Sequence, residues 1–362
     1  MKNIEDNKRL IFLDASKGIG ILAVMFGHIT SIGNPVDRWI STFKLPIFFI
    51  ITGFLICRSQ EVFTVSFRSF AVKKAKSLLL PYFLFSLLTI SYRLMIYGFK
   101  EKNLAQFIYR IKEDVYITVS FCGLKALWFL TALFFAEVIF YLVIRSHLAG
   151  KIVFVLISFL IYFKTFGVLE MIEMTYSDRI YRIISMPALA ITRGVVGFLF
   201  ISVGYILYLL MQKYPEKKQH FVVGIIIFII NIMMGKFLTG TLDFNNMRFG
   251  TIPAIFFVCA LLGSIGWILV LEYVVDFYRF PVLSWCGGNS LILMATHTAF
   301  GFKDIMVNGW ASVASLSSEA GLKYYVECLV ILFLLLVFEY GVVDFVNKKA
   351  PFLIGRSKKK ES

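Results

Sequence analysis

The residues best suited to chemistry lie in the first apolar segment, Leu10 to Ile32, which otherwise has the composition of a membrane-spanning helix. This segment contains Asp14, Lys17 and His28. Charged or titratable side chains are costly inside lipid, so they usually face a protein interior or a wet cavity. His28 is suited to act as a general base because imidazole exchanges a proton near neutral pH through two separately oriented nitrogens. Lys17 is suited to bind a phosphate of an anionic ligand.

Helical geometry places these three side chains on one side of the segment. Lys17 and His28 are eleven residues apart, which at 100° per residue is about 20° past three full turns. They are separated by roughly 16 Å along the axis at 1.5 Å per residue. Asp14 lies about 60° from Lys17 on the same side. The spacing predicts a polar seam, formed by these three residues, that runs from one end of the helix into the membrane.

The composition predicts a polytopic membrane protein. Of the 362 residues, 59% are hydrophobic and 16% are charged, and the mean hydropathy is +0.80. The net charge of +15 comes from basic residues spread over short loops, with no nucleic-acid-binding motif, so we expect no nucleic-acid partner. The five cysteines lack CxxC spacing and the four histidines lack metal-ligand spacing, so we expect neither a disulfide framework nor a metal site.

Ten apolar segments are long enough to span a bilayer, which predicts an all-α fold of about ten transmembrane helices. They lie near 10–32, 39–57, 78–98, 126–144, 152–169, 188–211, 221–240, 250–271, 283–302 and 324–346. We expect a single transmembrane domain over residues 1–350 and a basic cytoplasmic tail over residues 351–362. The first apolar run carries charges and lacks a small-residue cleavage site, so we expect a retained helix rather than a signal peptide.

Loop charge predicts the orientation of these spans. If the N-terminus is cytoplasmic, the inner segments carry 20 basic residues and the outer segments carry 13. This excess agrees with the positive-inside rule. An even number of spans then places the C-terminus in the cytoplasm as well. We therefore expect a multi-pass protein of the cytoplasmic (inner) membrane.

Further polar residues lie inside the predicted spans. Toward the outer half, at a depth similar to that of His28, we place Lys44, Arg193, His297 and Glu327 as candidate oxyanion or acceptor contacts. Each has another explanation, since long cations can extend toward the interface and a lone histidine is often a hydrogen-bonded core residue. Because several spans contribute polar groups at similar depth, the pattern favours a buried site.

Three segments resemble the membrane acyltransferase-3 superfamily, and in particular its fucose 4-O-acetylase-like branch. Their sequences are LDASKGIG at 13–20 continuing to Gly27-His28, FKLPIFFIITGF at 43–54, and GNSL at 288–291 followed by His297. In the first, a basic residue precedes a histidine with ten positions between them, as Lys17 and His28 do here. Lys17 stands where much of the superfamily has Arg, and Lys44 stands where the branch usually has His.

The resemblance implies transfer of an acyl group, most often acetyl, from acyl-CoA to a sugar hydroxyl. Acetyl-CoA is then a cosubstrate, and no permanently bound cofactor is expected. The resemblance implies a catalytic role for His28 and a donor-binding role for Lys17, to which we add Asp14 as its neighbour on the seam. The expected acceptor is a cell-envelope polysaccharide or its lipid-linked precursor, met within membrane lipids.

The residues alone leave a second function open. A transporter or exporter of a polysaccharide or small solute also has about ten spans and buried charges, and it would move its substrate without changing covalent structure. No inverted repeat and no pair of broken helices is evident in the sequence, which argues against transport.

Overall fold

The structure, a computed structural model, describes residues 10–30, 34–100, 103–175, 178–313 and 321–356. Within these residues, nine helices are long and apolar enough to cross a membrane. The nine are Ile11–Ile29, Pro35–Ser59, Phe67–Phe99, Lys125–Ile144, Leu148–Thr175, Arg182–Lys213, Lys217–Gly235, Pro253–Val274 and Leu322–Lys349. They correspond to nine of the ten predicted spans, so the prediction of an all-α polytopic membrane protein is confirmed.

The individual helices are numbered in chain order. Those in the first half are α1 (Ile11–Ile29), α2 (Pro35–Phe43), α3 (Pro46–Ser59), α4 (Glu61–Thr64), α5 (Phe67–Lys74), α6 (Leu80–Lys100), α7 (Leu104–Val119), α8 (Trp128–Ile144) and α9 (Leu148–Thr175). The later ones are α10 (Asp178–Lys213), α11 (Lys217–Gly235), α12 (Pro253–Val274), α13 (Pro281–Gly288), α14 (Ser290–Thr296), α15 (Phe302–Val313) and α16 (Leu322–Lys349).

Five short segments complete the described architecture. A π-helix, Ala75–Leu79, joins α5 to α6, and 3-10 helices at Lys125–Leu127 and Pro351–Ile354 precede α8 and follow α16. The strands β1 (Leu242–Asp243) and β2 (Arg248–Phe249) pair antiparallel in the connection between α11 and α12. The hairpin matters because its residues form one wall of the candidate site described below.

The ninth predicted span, 283–302, is the one without a matching long helix, because it is an interrupted helix. α13 ends at Gly288, Asn289 has φ −113° and ψ 14°, and α14 begins at the next residue. The Asn289 side chain donates to the carbonyl of Trp285 (2.9 Å) and accepts from the amide of Asn347 (2.9 Å). These bonds help to satisfy polar groups at the break, as non-helical backbone within a membrane requires.

The second predicted span is also divided. α2 ends at Phe43 and α3 begins at Pro46, so a bend at Lys44 and Leu45 separates two helices. Proline favours the first turn of a helix because its missing N–H would have no intrahelical acceptor there. The bend is what places Lys44 at a helix end rather than in the middle of a continuous span.

α1 packs against α13 at a separation that only glycine permits. A Cβ at Gly18 would collide with the carbonyl of Leu283, and a Cβ at Gly287 would collide with the carbonyl of Asp14. Small residues of this kind allow close helix approach in membranes. The contact holds the interrupted helix beside the polar seam.

Two hydrogen bonds between connecting segments agree with the predicted topology, because each joins two segments that are predicted on the same side of the membrane. Arg145 Nε donates to the carbonyl of Val62 (2.7 Å), joining two segments predicted inside, and Tyr116 O–H donates to the carbonyl of Ile183 (3.0 Å), joining two predicted outside. The packing therefore supports the alternation of sides. Which face is cytoplasmic, and the domain limits, stay predictions. Residues 1–9 and 357–362, which carry much of the predicted inner charge, lie outside the described residues.

Candidate active site

A cavity of about 380 Å³ lies beside the C-terminal end of α1, and we call it the histidine cavity. Its lining combines segments that are far apart in sequence: the end of α1, α2 and the bend after it, the start of α8, the β-hairpin and the chain around α14 and α15. Its titratable lining residues are His28, Asp37, Lys44, Lys125, Asp243, Lys303 and Asp304.

His28 lies in the last turn of α1 and its side chain is exposed to this cavity. Among the described residues, no hydrogen bond to its ring is formed. The ring contacts that of His297, with the centroids 5.2 Å apart and the planes inclined by 44°. The candidate base therefore lies at a cavity wall with a second histidine against it.

His297 is placed by the end of α14 and is fully buried. Its Nδ1 lies 2.6 Å from the carbonyl oxygen of Leu293, and because a carbonyl only accepts, Nδ1 carries a proton. Its Nε2 is buried without a partner among the described groups. The predicted outer-half histidine thus packs on His28 rather than lining the cavity itself.

Lys44 lines the histidine cavity next to α1. Its Nζ is 3.5 Å from Oδ1 of Asp37, and a Cβ on Gly27 would lie 2.8 Å from that Nζ. Gly27 thereby leaves room for the ammonium group beside the residue that precedes His28. The structure brings together the histidine of the seam and the cation predicted to approach it.

Arg193 lies behind the cavity wall. Its Nε donates to the carbonyl of Asn245 (2.7 Å), its Nη1 donates to the carbonyl of Cys122 (3.0 Å), and its guanidinium lies 5.1 Å from the ring centroid of Trp128. Burial raises the pKa of the Cys122 thiol, which stays protonated at neutral pH. Arg193 therefore positions the β-hairpin and the start of α8, and a direct contact with substrate stays a prediction.

Three other predicted site residues lie apart from the histidine cavity. Glu327 is buried on α16 with Lys323 3.9 Å away. Asp14 and Lys17 form a weak pair at 3.9 Å on the first half of α1. These three residues line neither the histidine cavity nor the second cavity, which is described next. Their assigned roles therefore stay predictions.

A second cavity of about 1020 Å³, which we call the basic cavity, lies among segments predicted on the opposite side. Its cationic lining residues are Arg68, Lys73, Lys76 and Arg356, and the described lining contains no carboxylate. Lys73 pairs with Glu61 (2.6 Å) outside the lining. Because a π-helical turn breaks the regular register and is frequent at functional sites, the π-helix that holds Lys76 supports a role for this cavity.

The two cavities come close together along α14. Leu291 and Ile292 line the basic cavity, while Met294 lines the histidine cavity. Two residues of helix correspond to about 3 Å along the axis. The short helix α14 therefore contributes residues to both cavities.

Sequence reasoning missed several members of both cavities. Asp37, Asp243 and Lys303 fall in connections between spans, where nothing in the local pattern marks them as site residues. Arg68 and Arg356 were counted only as topology charge. The break at Asn289 has a local signal, since two glycines precede it, but the hydropathy of the segment predicts a continuous span.

Lys74, which lies between Lys73 and Lys76 in the sequence, does not line the basic cavity. Its Nζ lies 2.5 Å from Oε2 of Glu137, a carboxylate near the middle of the fourth predicted span. This buried pair neutralises both charges and leaves the cavity to Lys73 and Lys76.

A protein-family model with the description "Acyltransferase domain" matches residues 10–338 of the chain. The match covers both halves of the seam, the bend at Lys44, the β-hairpin and α14. Comparison with curated proteins and with solved structures gives no match.

Proposed function

The chain belongs to the acyltransferase-3 family and is a membrane acyltransferase, and from that premise we propose that it moves an acyl group from acyl-CoA to a sugar hydroxyl. The acyl group expected from the branch resemblance is acetyl. The proposed acceptor is a cell-envelope polysaccharide or its lipid-linked precursor. The observation that carries the proposal is that α14 lines two unlike cavities, one with a cationic lining and one with His28 in its wall.

The basic cavity is the proposed entry for the donor. Its cations match the phosphates of coenzyme A, because charge-assisted bonds to phosphate are among the strongest in proteins. Its volume of about 1020 Å³ suits a nucleotide. The pantetheine arm then follows the seam, since Lys17 and His28 are roughly 16 Å apart on one continuous helix. Lys17 and Asp14 remain proposed donor contacts along this route.

The chemistry proposed for His28 is general-base catalysis. A ring nitrogen takes the proton of the acceptor hydroxyl, whose oxygen bonds to the thioester carbonyl carbon. The carbon–sulfur bond breaks, and the sulfur leaves with the electron pair and takes the proton held by His28. Lys44, whose ammonium lies beside α1, stabilises the oxyanion that forms on the carbonyl oxygen. Every atom and proton is accounted for without a further reactant.

The histidine cavity has the chemistry of a sugar site. Aromatic side chains at Trp128, Phe129 and Phe244 line it together with carboxylates at Asp37 and Asp243. Aromatic faces pack on the apolar faces of a sugar ring, and carboxylates accept hydrogen bonds from its hydroxyls. This combination supports an uncharged or weakly charged glycan better than a strongly anionic acceptor.

One observation favours the alternative of transport. Transporters bind substrate at interrupted helices near the bilayer midplane, and two predicted spans are interrupted, one after Phe43 and one at Asn289, so the expectation that broken helices are lacking was wrong. Transport predicts flux of a glycan whose acyl groups are unchanged. Acyl transfer predicts a covalent change, and the family membership favours it.

The test is to replace His28 with Ala and measure O-acylation of the envelope glycan by mass spectrometry. His147→Ala is a matched control, because His147 is exposed in the connection between α8 and α9 and lines neither cavity. We expect acyl groups to disappear in the His28 variant and to persist in the control. Unchanged acylation at normal protein levels would overturn the proposal.

A further inference from the structure

The chain beyond α16 folds back onto the basic cavity. The 3-10 helix Pro351–Ile354 buries the side chains of Pro351 and Leu353, and the backbone N–H of Arg356 donates to the carbonyl of Pro351 (3.0 Å). Residues 354–356 line the basic cavity. The first part of the predicted tail is therefore a folded wall of the cavity, and it lies after residue 338, where the family match ends.

Gly355 fixes this wall in place. Its φ is +68°, in the left-handed region that favours glycine, and a Cβ there would collide with the carbonyl oxygen of Lys76. Both restraints act at one residue, so the turn can approach the π-helix only with glycine at this position. The approach carries Arg356 to the same cavity as Lys76.

The charges of the basic cavity are unevenly neutralised. Lys73 has Glu61 as a partner, whereas Arg68, Lys76 and Arg356 form no ion pair within the described part of the chain. Arg68 and Lys76 are eight residues apart, which is about 12 Å along a helix. The cavity thus offers Arg68 near the start of α5, Lys76 further along the chain, and Arg356 on the turn that packs against the carbonyl of Lys76.

We infer that Arg356, held by Gly355, binds the diphosphate of the acyl-CoA donor together with Lys76. The pantetheine arm starts at this diphosphate, so in this assignment Lys76 and Arg356 hold the donor where the proposed route to His28 begins. Arg68, nearer the start of the helix, then faces the 3′-phosphate. The inference rests on the proposed function and adds to it a donor-binding residue from outside the family match.

Donor analogues separate these assignments. Steady-state KM values are measured with acetyl-CoA and with acetyl-dephospho-CoA, which lacks only the 3′-phosphate. For Arg356→Gln we expect KM to rise about tenfold for both donors with kcat unchanged, because a charge-assisted bond to the shared diphosphate is lost. For Arg68→Gln we expect KM to rise for acetyl-CoA alone.

Two further variants define the role of the turn. Gly355→Ala, which displaces Arg356 without removing its charge, should raise KM for both donors as Arg356→Gln does. Lys349→Gln removes a nearby exposed cation that lies outside the cavity lining and should leave both values unchanged. A KM for Arg356→Gln within twofold of the wild type for both donors would overturn the inference.

The phosphate of a lipid headgroup would bind the same cations as the diphosphate of the donor. The kinetic assay distinguishes these two ligands. Phosphatidylglycerol is added to the detergent-purified protein in a parallel series. Competition by this lipid that vanishes in Arg356→Gln, without a donor effect of that variant, would assign the cation to lipid and overturn the inference. If the wild-type protein transfers no acetyl group, the proposed function fails instead. Binding of CoA measured by calorimetry then tests Arg356 on its own.

Discussion

The two cavities differ in how their charges are compensated. In the basic cavity, three of four cations form no ion pair among the described residues, and no carboxylate is found in the described lining. In the histidine cavity, cations and carboxylates alternate, and Lys44 and Lys303 each have an aspartate within ion-pair distance. The first is suited to a ligand that brings its own negative charge. The second is suited to a neutral ligand that is held by shape and hydrogen bonds.

The two cavities also differ in role: the basic cavity is suited to bind a charged ligand, and the histidine cavity is suited to carry out the reaction. A strongly charged ligand gains affinity from the cations of the basic cavity, whose described lining contains neither a histidine nor a carboxylate. The histidine cavity has an imidazole in His28, which can accept a proton from a hydroxyl, and it has a cation in Lys44. Changes in the two cavities should therefore affect different kinetic constants.

The largest expected effect is that of His28→Asn. Loss of a general base typically costs about 10²–10⁴-fold in rate, so kcat should fall by that factor. Donor KM should stay near the wild-type value, since the basic cavity is untouched. Stopped-flow or radiolabel assays on the purified variant measure both constants. An equal rise in donor KM would show that His28 belongs to donor binding.

Lys44→Met should have the next largest effect. Removing one group that stabilises an oxyanion costs about 10²–10³-fold in kcat. Methionine keeps the length of the side chain, so Gly27 and the bend before α3 should be unaffected. Lys236→Met, at an exposed cation outside both cavities, is the control. A change confined to KM would instead make Lys44 an acceptor contact.

Arg193→Lys should have a smaller effect than the two preceding variants, because Arg193 acts by holding the wall of the histidine cavity in place. Lysine cannot serve the carbonyls of Asn245 and Cys122 together, and an unsatisfied buried partner costs about 1–3 kcal/mol. We expect a lower melting temperature and a higher acceptor KM, with donor KM unchanged. Thermal unfolding in detergent and acceptor titration provide the two readouts. An unaltered acceptor KM with lower stability would confine Arg193 to a structural role.

The smallest effect should come from salt. Raising the ionic strength from 0.01 to 0.15 M shortens the Debye length from about 30 to 8 Å, which weakens attraction to exposed cations. Donor KM should rise a few-fold, whereas acceptor KM should not change. The comparison of the two cavities would be wrong if salt affected the acceptor more than the donor.

Much of the architecture could be predicted from hydropathy, because long apolar runs can form only helices in a bilayer. The two interrupted spans were harder to predict. Pro46 and Asn289 break helices inside runs whose average hydropathy is unaffected by one residue. The helix breaks nevertheless decide where Lys44 and His297 lie.

The candidate site could be predicted from the sequence only where its residues are close together in the chain. His28 and Lys17 share a helix, so their spacing predicts a common side, although only His28 lines a cavity. The contact of His28 with His297 joins residues at opposite ends of the chain, and the hairpin that contributes Asp243 is placed by Arg193 through its backbone contacts. Such contacts depend on packing that no short sequence pattern encodes.

The central claim is that the donor enters the basic cavity and the acceptor binds in the histidine cavity, on the opposite predicted side of the membrane. The most direct test is to place the two substrates on opposite sides of a membrane. Inside-out vesicles are made from cells that produce the native envelope glycan, and ¹³C-acetyl-CoA is added to the exposed cytoplasmic face. We predict that mass spectrometry detects ¹³C-acetyl groups on glycan inside the vesicles with the wild-type protein and not with His28→Asn. Labelling only of glycan added on the same side as the donor would contradict the account.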